Sequence, residues 1–172
     1  MPTKLAAAAA ISILLTTPDP APTDSGSSPA RAAWEQLRGL AGTWTGRSTK
    51  GWAERLRYEV IAGGSVVLET SEDAHPGEKM ATAFYLDGER LMLTHYCVAR
   101  NQPRLEATSF PNDGKTVVFT FVDATNLRSR KQGHMDKAVL TFESPDRVVS
   151  RWSWYQDGRE TWFEDIVQTR AR

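Results

Sequence analysis

The sequence predicts an all-β fold: an antiparallel up-and-down barrel of about ten strands, preceded by one short helix. After residue 41, β-branched and aromatic residues alternate with polar ones, and turn signals recur about every ten residues. Consecutive hairpins of this kind form a meander. Closing the meander on itself removes the exposed sheet edges that promote aggregation, so a closed barrel is favoured over an open sheet.

The short helix is expected over residues 31–40, which read RAAWEQLRGL. Its apolar residues lie at helical spacing on one face, and Gly39 is a stop signal near the end. The residues of this face are Ala33, Trp34, Leu37 and Leu40. We expect the helix to pack against the barrel or to plug one of its ends.

The segments after the helix show the alternation of half-buried strands. Strands are expected at residues 42–49, 54–62, 64–72, 79–87, 90–98, 103–110, 115–123, 137–144, 147–156 and 159–169. Between them, glycine, asparagine, aspartate and proline supply a positive φ or a preset turn dihedral. These turns are Gly63-Gly64, Asp87-Gly88, Asn112-Asp113-Gly114, Pro145-Asp146 and Asp157-Gly158. Short turns between successive strands are what a meander requires.

The N-terminus has the layout of a secretory signal peptide over residues 1–17, with a single lysine followed by an apolar run of alanine, isoleucine and leucine. The run is shorter than the roughly 20 residues of a membrane-spanning helix. Residues 18–30 are rich in proline and serine and are expected to be a disordered linker, which leaves 31–172 as one barrel domain. We expect an exported protein, periplasmic or secreted, with no integral membrane span after processing.

Composition excludes several classes of protein. The chain has 21 basic and 21 acidic residues, so no nucleic-acid partner is expected, because phosphate contacts need a surplus of lysine and arginine on one face. Cys97 is the single cysteine, which excludes an internal disulfide and a zinc site built from several cysteines. The fold must therefore be held by its own core.

The sequence pattern does not decide whether the barrel interior is filled with side chains or holds a ligand. A barrel of about eight to ten strands is just wide enough to fill with side chains or to hold one small ligand. Apolar and polar residues alternate cleanly in segment 54–60, whereas segment 147–156 has mixed polarity on both faces. A partly polar interior and an outer cover by the helix explain such a strand equally well. In the first case, Arg151 and Tyr155 are candidate ligand-binding residues.

Gly42-Thr43-Trp44 opens the first strand directly after the helix, and Thr169-Arg170 closes the last strand. This arrangement resembles the calycin superfamily, which comprises lipocalins, fatty-acid-binding proteins and their relatives. The resemblance implies that Trp44 plugs one end of the barrel and that Arg170 packs over its indole in a cation–π contact. It assigns Gly42, Trp44 and Arg170 a structural role in barrel closure.

Within that superfamily, the sequence resembles nitrobindin-like, heme-binding barrels through Leu40-Ala41-Gly42-Thr43-Trp44 and its strand layout. Those barrels hold iron through a histidine on the final strand, and the final strand here, TWFEDIVQ at 161–168, contains none. The stretches LTHYCV at 93–98, NQPR at 101–104 and DATN at 123–126 also resemble uncharacterised exported bacterial proteins with lipocalin-like barrels. This second resemblance implies no activity.

The stretch 93–98 holds the densest chemistry, because His95 and Cys97 point to the same side of a strand. As a functional site they would be a soft metal or heme-ligand pair inside the barrel, completed by Asp123 or His134. Alternatively, His95 is a buried, hydrogen-bonded histidine and Cys97 a small hydrophobe, which we prefer because local spacing fixes no third ligand. No cofactor is therefore assigned, and heme is left as an alternative.

Polar side chains lie around Pro103, which is expected to break the strand pair. Asn101, Gln102 and Arg104 either cap backbone groups or ring the mouth of a pocket, where Arg104 would pair with a carboxylate of the ligand. The longest interval between strands, 124–136, is expected to be a loop that could fold over an opening.

No catalytic motif is recognised, since the chain lacks Gly-x-Ser-x-Gly, HExxH and P-loop sequences. Our first hypothesis is therefore an exported, non-enzymatic barrel that binds one small apolar or amphipathic molecule. The second is a metal or heme site centred on His95, with redox activity. The third is a filled barrel that acts only as a structural or interaction module.

Overall fold

The computed structural model describes residues 28–72 and 78–172 and shows a closed antiparallel barrel preceded by one α-helix, which confirms the predicted fold class. The elements are α1 (Pro29–Arg38), β1 (Gly42–Ser48), β2 (Ala53–Ile61), a 3-10 turn (Ala62–Gly64), β3 (Val66–Glu72), β4 (Lys79–Asp87), β5 (Arg90–Tyr96), β6 (Gln102–Ser109), β7 (Thr116–Thr125), β8 (His134–Ser144), β9 (Arg147–Gln156) and β10 (Arg159–Arg170). Each strand pairs with its neighbours in sequence, and β1 pairs with β10 to close the barrel. The predicted signal peptide and most of the predicted linker lie outside the described residues.

Helix α1 begins at Pro29, two residues before the predicted start, because Ser28 caps it. Ser28 Oγ accepts a hydrogen bond from the Arg31 backbone N–H at 3.3 Å. Proline suits the first turn of a helix, where its missing N–H has no partner to lose. The helix ends before Gly39, the predicted stop signal, and buries one face, formed by Ala30, Ala33, Trp34 and Leu37. No helix within 28–72 or 78–172 is both long and apolar enough to cross a membrane.

The largest difference between predicted and observed strand bounds is at the β7–β8 connection. The loop predicted at 124–136 is shorter, because β7 extends two residues further and β8 already begins at His134. His134 is paired there with Tyr155 of β9. Gly133, immediately before β8, lies so close to the Trp154 indole that a Cβ atom would collide with the ring. The prediction of a long loop was therefore wrong in its extent.

The barrel end that α1 covers, here called the helix end, is closed by Trp44 and Arg170. Trp44 is fully buried and lies opposite Arg170 across the β1–β10 pair. The guanidinium carbon of Arg170 is 4.4 Å from the ring centroid of Trp44, and Trp44 Nε1 donates to Leu40 O at 2.7 Å. Gly42 has a φ of +135°, and a Cβ atom there would be 3.0 Å from an Arg170 nitrogen. The contact implied by the resemblance is thus present in the structure.

Arg170 also joins separate backbone segments at this end. Its Nη2 donates to Gly39 O at 2.9 Å and to Pro145 O at 3.0 Å. Its Nη1 donates to Ala41 O at 2.8 Å, and its Nε donates to Asp146 Oδ1 at 2.9 Å. Only a planar guanidinium presents this many donors in a fixed geometry, so Arg170 ties the α1–β1 connection to the β8–β9 turn.

We expect Arg170→Lys to lower the free energy of unfolding by about 2 kcal/mol, because lysine keeps the charge but cannot reach these acceptors together. Urea unfolding followed by tryptophan fluorescence measures the loss. Arg147→Lys is the matched control, since Arg147 pairs with Glu143 at the surface, and its expected change is within about 0.5 kcal/mol. Equal losses in the two variants would contradict this role of Arg170.

Large apolar side chains fill the helix half of the barrel. The aromatic pairs Trp44–Tyr58 and Phe84–Phe119 each have ring centroids 6.0 Å apart, the first in an edge-on arrangement. Fully buried leucines complete the packing; they are Leu37, Leu56, Leu91, Leu93, Leu105 and Leu140. This half of the barrel is therefore a packed core.

Candidate functional site

At the far end of the barrel, opposite α1, the interior contains a cavity of about 30 Å³. It is lined by Glu54, Glu69, Ser71, Met80, Ala81, Thr82, His95, Met135, Trp152, Glu164 and Ile166. A space of this size holds about one or two water molecules. In the described part of the chain the interior is thus largely filled with side chains, and what space remains is bordered by polar groups.

Three glutamates enter the cavity because of their positions along the strands. Glu54, Glu69 and Glu164 are each at least nine-tenths buried. Glu54 lies opposite Gly46 across the β1–β2 pair, and a Cβ atom at Gly46 would be 2.7 Å from Glu54 Cγ. The glycine therefore makes room for the glutamate side chain inside the barrel.

Serine hydroxyls hold two of these carboxyl groups. Ser71 Oγ donates to Glu54 Oε2, and Ser48 Oγ donates to Glu164 Oε2 at 2.7 Å. The other carboxyl oxygen of Glu54, Oε1, is buried and has no hydrogen-bond partner among the described residues. Glu54, which lines the cavity, therefore has a carboxyl oxygen that is still able to accept a hydrogen bond.

Burial shifts the pKa values of these carboxyl groups upward. The pKa of Glu69 is raised from 4.5 to about 8, first by burial and second by the charge of Glu54, while a hydrogen bond with Tyr58 opposes the shift. The pKa of Glu54 is also raised, mainly by burial and further by the charge of Glu164, with the Ser71 hydrogen bond opposing. Glu69 therefore holds its proton at neutral pH.

His95 lines the same cavity. Its Nδ1 is 3.0 Å from Thr82 Oγ1, and its ring centroid is 4.8 Å from that of Trp152. Burial lowers the pKa of His95 from 6.5 to about 4, so the imidazole is neutral at physiological pH. Its Nε2 is buried and has no partner among the described residues. His95 therefore has a ring nitrogen that is still able to form a hydrogen bond.

Of the candidate ligand-binding residues in the sequence analysis, His95 is the one that lines the cavity. Cys97 follows the last residue of β5, is half-buried, and has a pKa raised by burial. Asn101 is fully buried, where its Nδ2 donates to Gly133 O at 2.9 Å and its Oδ1 has no partner in the described chain. Asn101 thus ties the β5–β6 connection to the start of β8.

Gln102, Arg104 and Arg151 make contacts outside the cavity. Gln102 Oε1 accepts a hydrogen bond from the Thr125 hydroxyl. The guanidinium groups of the two arginines each form a two-point ion pair with an aspartate on the neighbouring strand; these pairs are Arg104 with Asp123 and Arg151 with Asp165. Their donors are therefore already engaged on the outer surface.

Tyr155 and His134 belong to a separate cluster. The guanidinium of Arg130 lies over the rings of Phe121, at 3.9 Å, and Tyr155, at 4.8 Å. His134 Nδ1 donates to Gln132 O at 2.7 Å, and its Nε2 accepts from Arg130 Nη1 at 2.5 Å. Both ring nitrogens of His134 are thus engaged, and the side chain is fully buried.

The described residues contain no group of three or more histidine, cysteine, aspartate or glutamate side chains placed to hold a metal ion. His134, a candidate ligand, has both ring nitrogens in hydrogen bonds. A porphyrin needs a pocket of several hundred Å³, about tenfold more than the interior cavity beside His95 provides. The hydrogen-bonded ring of His134 and the small cavity beside His95 therefore do not fit a heme group.

The three glutamates of the cavity were not predicted from the sequence, although their position on the strands is a signal that could have identified them. Glu54 has the parity of Leu56, and Glu69 has the parity of Val67. Glu164 similarly shares the parity of Ile166. An acidic residue on the apolar face of its strand was therefore the available signal.

No protein-family model and no curated protein matches the sequence. A solved structure with a similar fold is that of a protein of unknown function from the DUF3598 family of Nostoc punctiforme. The two share 10% sequence identity with a TM-score of 0.52, and the match covers 78% of this chain and 49% of that one. This chain thus spans about half the length of that protein. The likeness shows the barrel fold alone.

Proposed function

We propose that this protein is a non-enzymatic binding protein that holds the polar group of one small amphipathic molecule in the far-end cavity. The observation behind the proposal is that two residues lining the cavity each have a buried polar atom without a partner among the described residues, namely Glu54 Oε1 and His95 Nε2. Leaving a buried polar atom unsatisfied costs about 1–3 kcal/mol, so a barrel serving only as a scaffold gains nothing by retaining them.

The remaining walls of the cavity favour an amphipathic ligand over a purely apolar one. Trp152 and Ile166 provide apolar surface, and Met80 and Met135 are partly exposed and have flexible, polarizable side chains that adapt to a bound group. The volume of about 30 Å³ admits a small polar group. The apolar part of the ligand would lie outside this volume, along the partly exposed side chains of the methionines.

The same proposal includes a calycin-type barrel and export. The Trp44–Arg170 contact at the helix end supports the calycin assignment, because it is the contact that the superfamily resemblance implies. The apolar run within residues 1–17 supports removal of a signal peptide and release to the periplasm or the medium.

Native mass spectrometry of the protein purified from the exported fraction without detergent tests the function. We expect a small non-covalent mass that disappears under denaturing conditions.

A fluorescence titration with hexylammonium, hexanol and hexanoate is the second test of the function. We expect one bound molecule per chain to change the tryptophan fluorescence. Trp152→Phe is expected to lose most of this signal, and Trp162→Phe, which does not line the cavity, to keep it.

A bare polypeptide mass together with no saturable response to any of the three compounds would contradict the binding function. The intact mass from the same spectrum tests export, because a chain that keeps residues 1–17 in the exported fraction would contradict cleavage of a signal peptide.

A further inference from the structure

The described residues that line the cavity include acidic side chains but no lysine or arginine. The acidic residues are Glu54, Glu69 and Glu164. Glu54 and Glu164 accept hydrogen bonds from the hydroxyls of Ser71 and Ser48, which carry no charge. Bringing several carboxyl groups into one enclosed space is unfavourable unless protons or a cation compensate their charge.

Two further features of the cavity point to a bound donor. Glu54 Oε1 is a buried carboxyl oxygen without a partner in the described chain. His95 Nε2 also lacks a partner there, and it is an acceptor in the tautomer in which Nδ1 donates to Thr82 Oγ1. A primary ammonium has three hydrogens to donate and no acceptor of its own. It therefore supplies the kind of donor that Glu54 Oε1 lacks among the described residues.

The aromatic residue in the cavity lining, Trp152, is also compatible with a bound cation. Trp152 lines the cavity and packs against His95. An indole face attracts a cation through the quadrupole of the ring, and this attraction is strongest where water is excluded. Because Met80 and Met135 are partly exposed beside the cavity, an alkyl chain that extends out of it has apolar surface to contact.

Resting on the proposed function, we propose that the polar group held in the far-end cavity is an organic ammonium, recognised by Glu54, Glu69 and Glu164. A metal ion is disfavoured, because the described side chains do not form a group with metal-ligand geometry. An anionic group is disfavoured, because the carboxylates would repel it. The ligand class is therefore a small primary amine with an apolar tail.

Binding is coupled to proton release. The pKa of Glu69 is raised to about 8, so this carboxyl group is protonated at neutral pH. An ammonium that binds beside Glu69 favours the ionised form of its carboxyl group, so the carboxyl proton leaves to solvent. The net reaction converts the protonated carboxylic acid and the ammonium into a carboxylate–ammonium pair and one released proton. Affinity therefore rises with pH, by up to about tenfold per pH unit below the pKa of Glu69.

Isothermal titration calorimetry of the full chain with hexylammonium, hexanol and hexanoate tests the inference. We expect hexylammonium to bind at least about tenfold more tightly than the other two, and more tightly at about pH 8 than at about pH 7. Repeating the titration in two buffers of different ionisation enthalpy is expected to show release of up to one proton for each hexylammonium bound.

Glu69→Gln and Glu54→Gln are expected to remove the preference for hexylammonium, and Glu69→Gln also removes the pH dependence. Glu160→Gln is the matched control, because Glu160 is exposed and does not line the cavity. Near-UV circular dichroism verifies that each variant is folded.

The outcomes separate the inference from the proposed function. If hexanol or hexanoate binds as tightly as hexylammonium, with a fluorescence signal that Trp152→Phe removes, the cavity binds ligands but the ammonium assignment fails. If hexylammonium binds equally to the control and to both glutamine variants, the assignment to these glutamates fails. If no compound binds and the native spectrum shows a bare chain, the proposed function fails.

Discussion

Trp44→Ala is expected to lower the free energy of unfolding by about 3–5 kcal/mol, which is a large part of the stability of a single domain. Trp44 is fully buried, packs edge-on against Tyr58 at 6.0 Å, and lies under Arg170 at 4.4 Å. Alanine leaves a cavity at the helix end and removes the ring over which the guanidinium is placed. The loss therefore includes the packing of the indole and its contact with Arg170.

Urea unfolding followed by far-UV circular dichroism measures this loss without relying on the fluorescence of the deleted residue. Trp162→Ala is the control, because Trp162 is only partly buried, near the far end, and contacts the exposed Lys50. A loss of about 1–2 kcal/mol is expected for it. A loss below about 1 kcal/mol for Trp44→Ala would contradict closure of the barrel by Trp44.

The free energy of unfolding is expected to fall between about pH 6.5 and about pH 8, with a slope of up to about 1.4 kcal/mol per pH unit. The cause is Glu69, whose pKa is about 8 in the folded chain and near 4.5 when exposed. Between these values the folded chain holds a proton that the unfolded chain releases. Raising the pH therefore favours unfolding, until Glu69 ionises in both states.

His95 has the opposite effect at lower pH. Its pKa is lowered from 6.5 to about 4, so between these values the unfolded chain binds a proton that the folded chain excludes. Stability from this residue therefore rises from about pH 4 to about pH 6.5. From about pH 4.5 to about pH 6.5, His95 and Glu69 change the free energy of unfolding in opposite directions. The net pH dependence that the two residues produce is therefore small in this range.

Urea unfolding at a series of pH values measures the profile, and two variants separate its causes. Glu69→Gln is expected to remove the fall above about pH 6.5 and to reveal the rise below it that His95 produces. His95→Gln, which keeps a partner for Thr82, is expected to leave the fall above pH 6.5 unchanged. A wild-type profile that is flat from about pH 6.5 to about pH 8 would contradict protonation of buried Glu69.

The barrel could be predicted because its signals are local. Alternation with period two and turn residues such as Asp157-Gly158 lie within a few residues of each other, and β4 and β9 have the predicted bounds. Strand β8 was harder, since His134 is held in it by pairing with Tyr155 on another strand. Such pairing depends on the register across the sheet, and the sequence of the segment alone does not show it.

The candidate site was predictable only in part. His95 was identified because histidine is rare and chemically distinctive, but the glutamates beside it come from strands distant in sequence. Glu54 and Glu164, for example, belong to β2 and β10 and meet only because the barrel closes through β1. The alternation along each strand predicts that each of these glutamates points into the barrel. That the two glutamates lie close together follows only from the closed order of the strands.

Both ends of the described chain lie at the helix end. Ser28 donates to Glu89 in the β4–β5 turn, and the Ala171 backbone N–H donates to Thr43 O at 2.8 Å. A biosensor surface coupled through Arg172 therefore attaches on the side of the barrel away from Glu54 and its neighbours. The support then lies on the side of the barrel opposite the far-end cavity, so attachment through Arg172 keeps the support away from the cavity-lining residues.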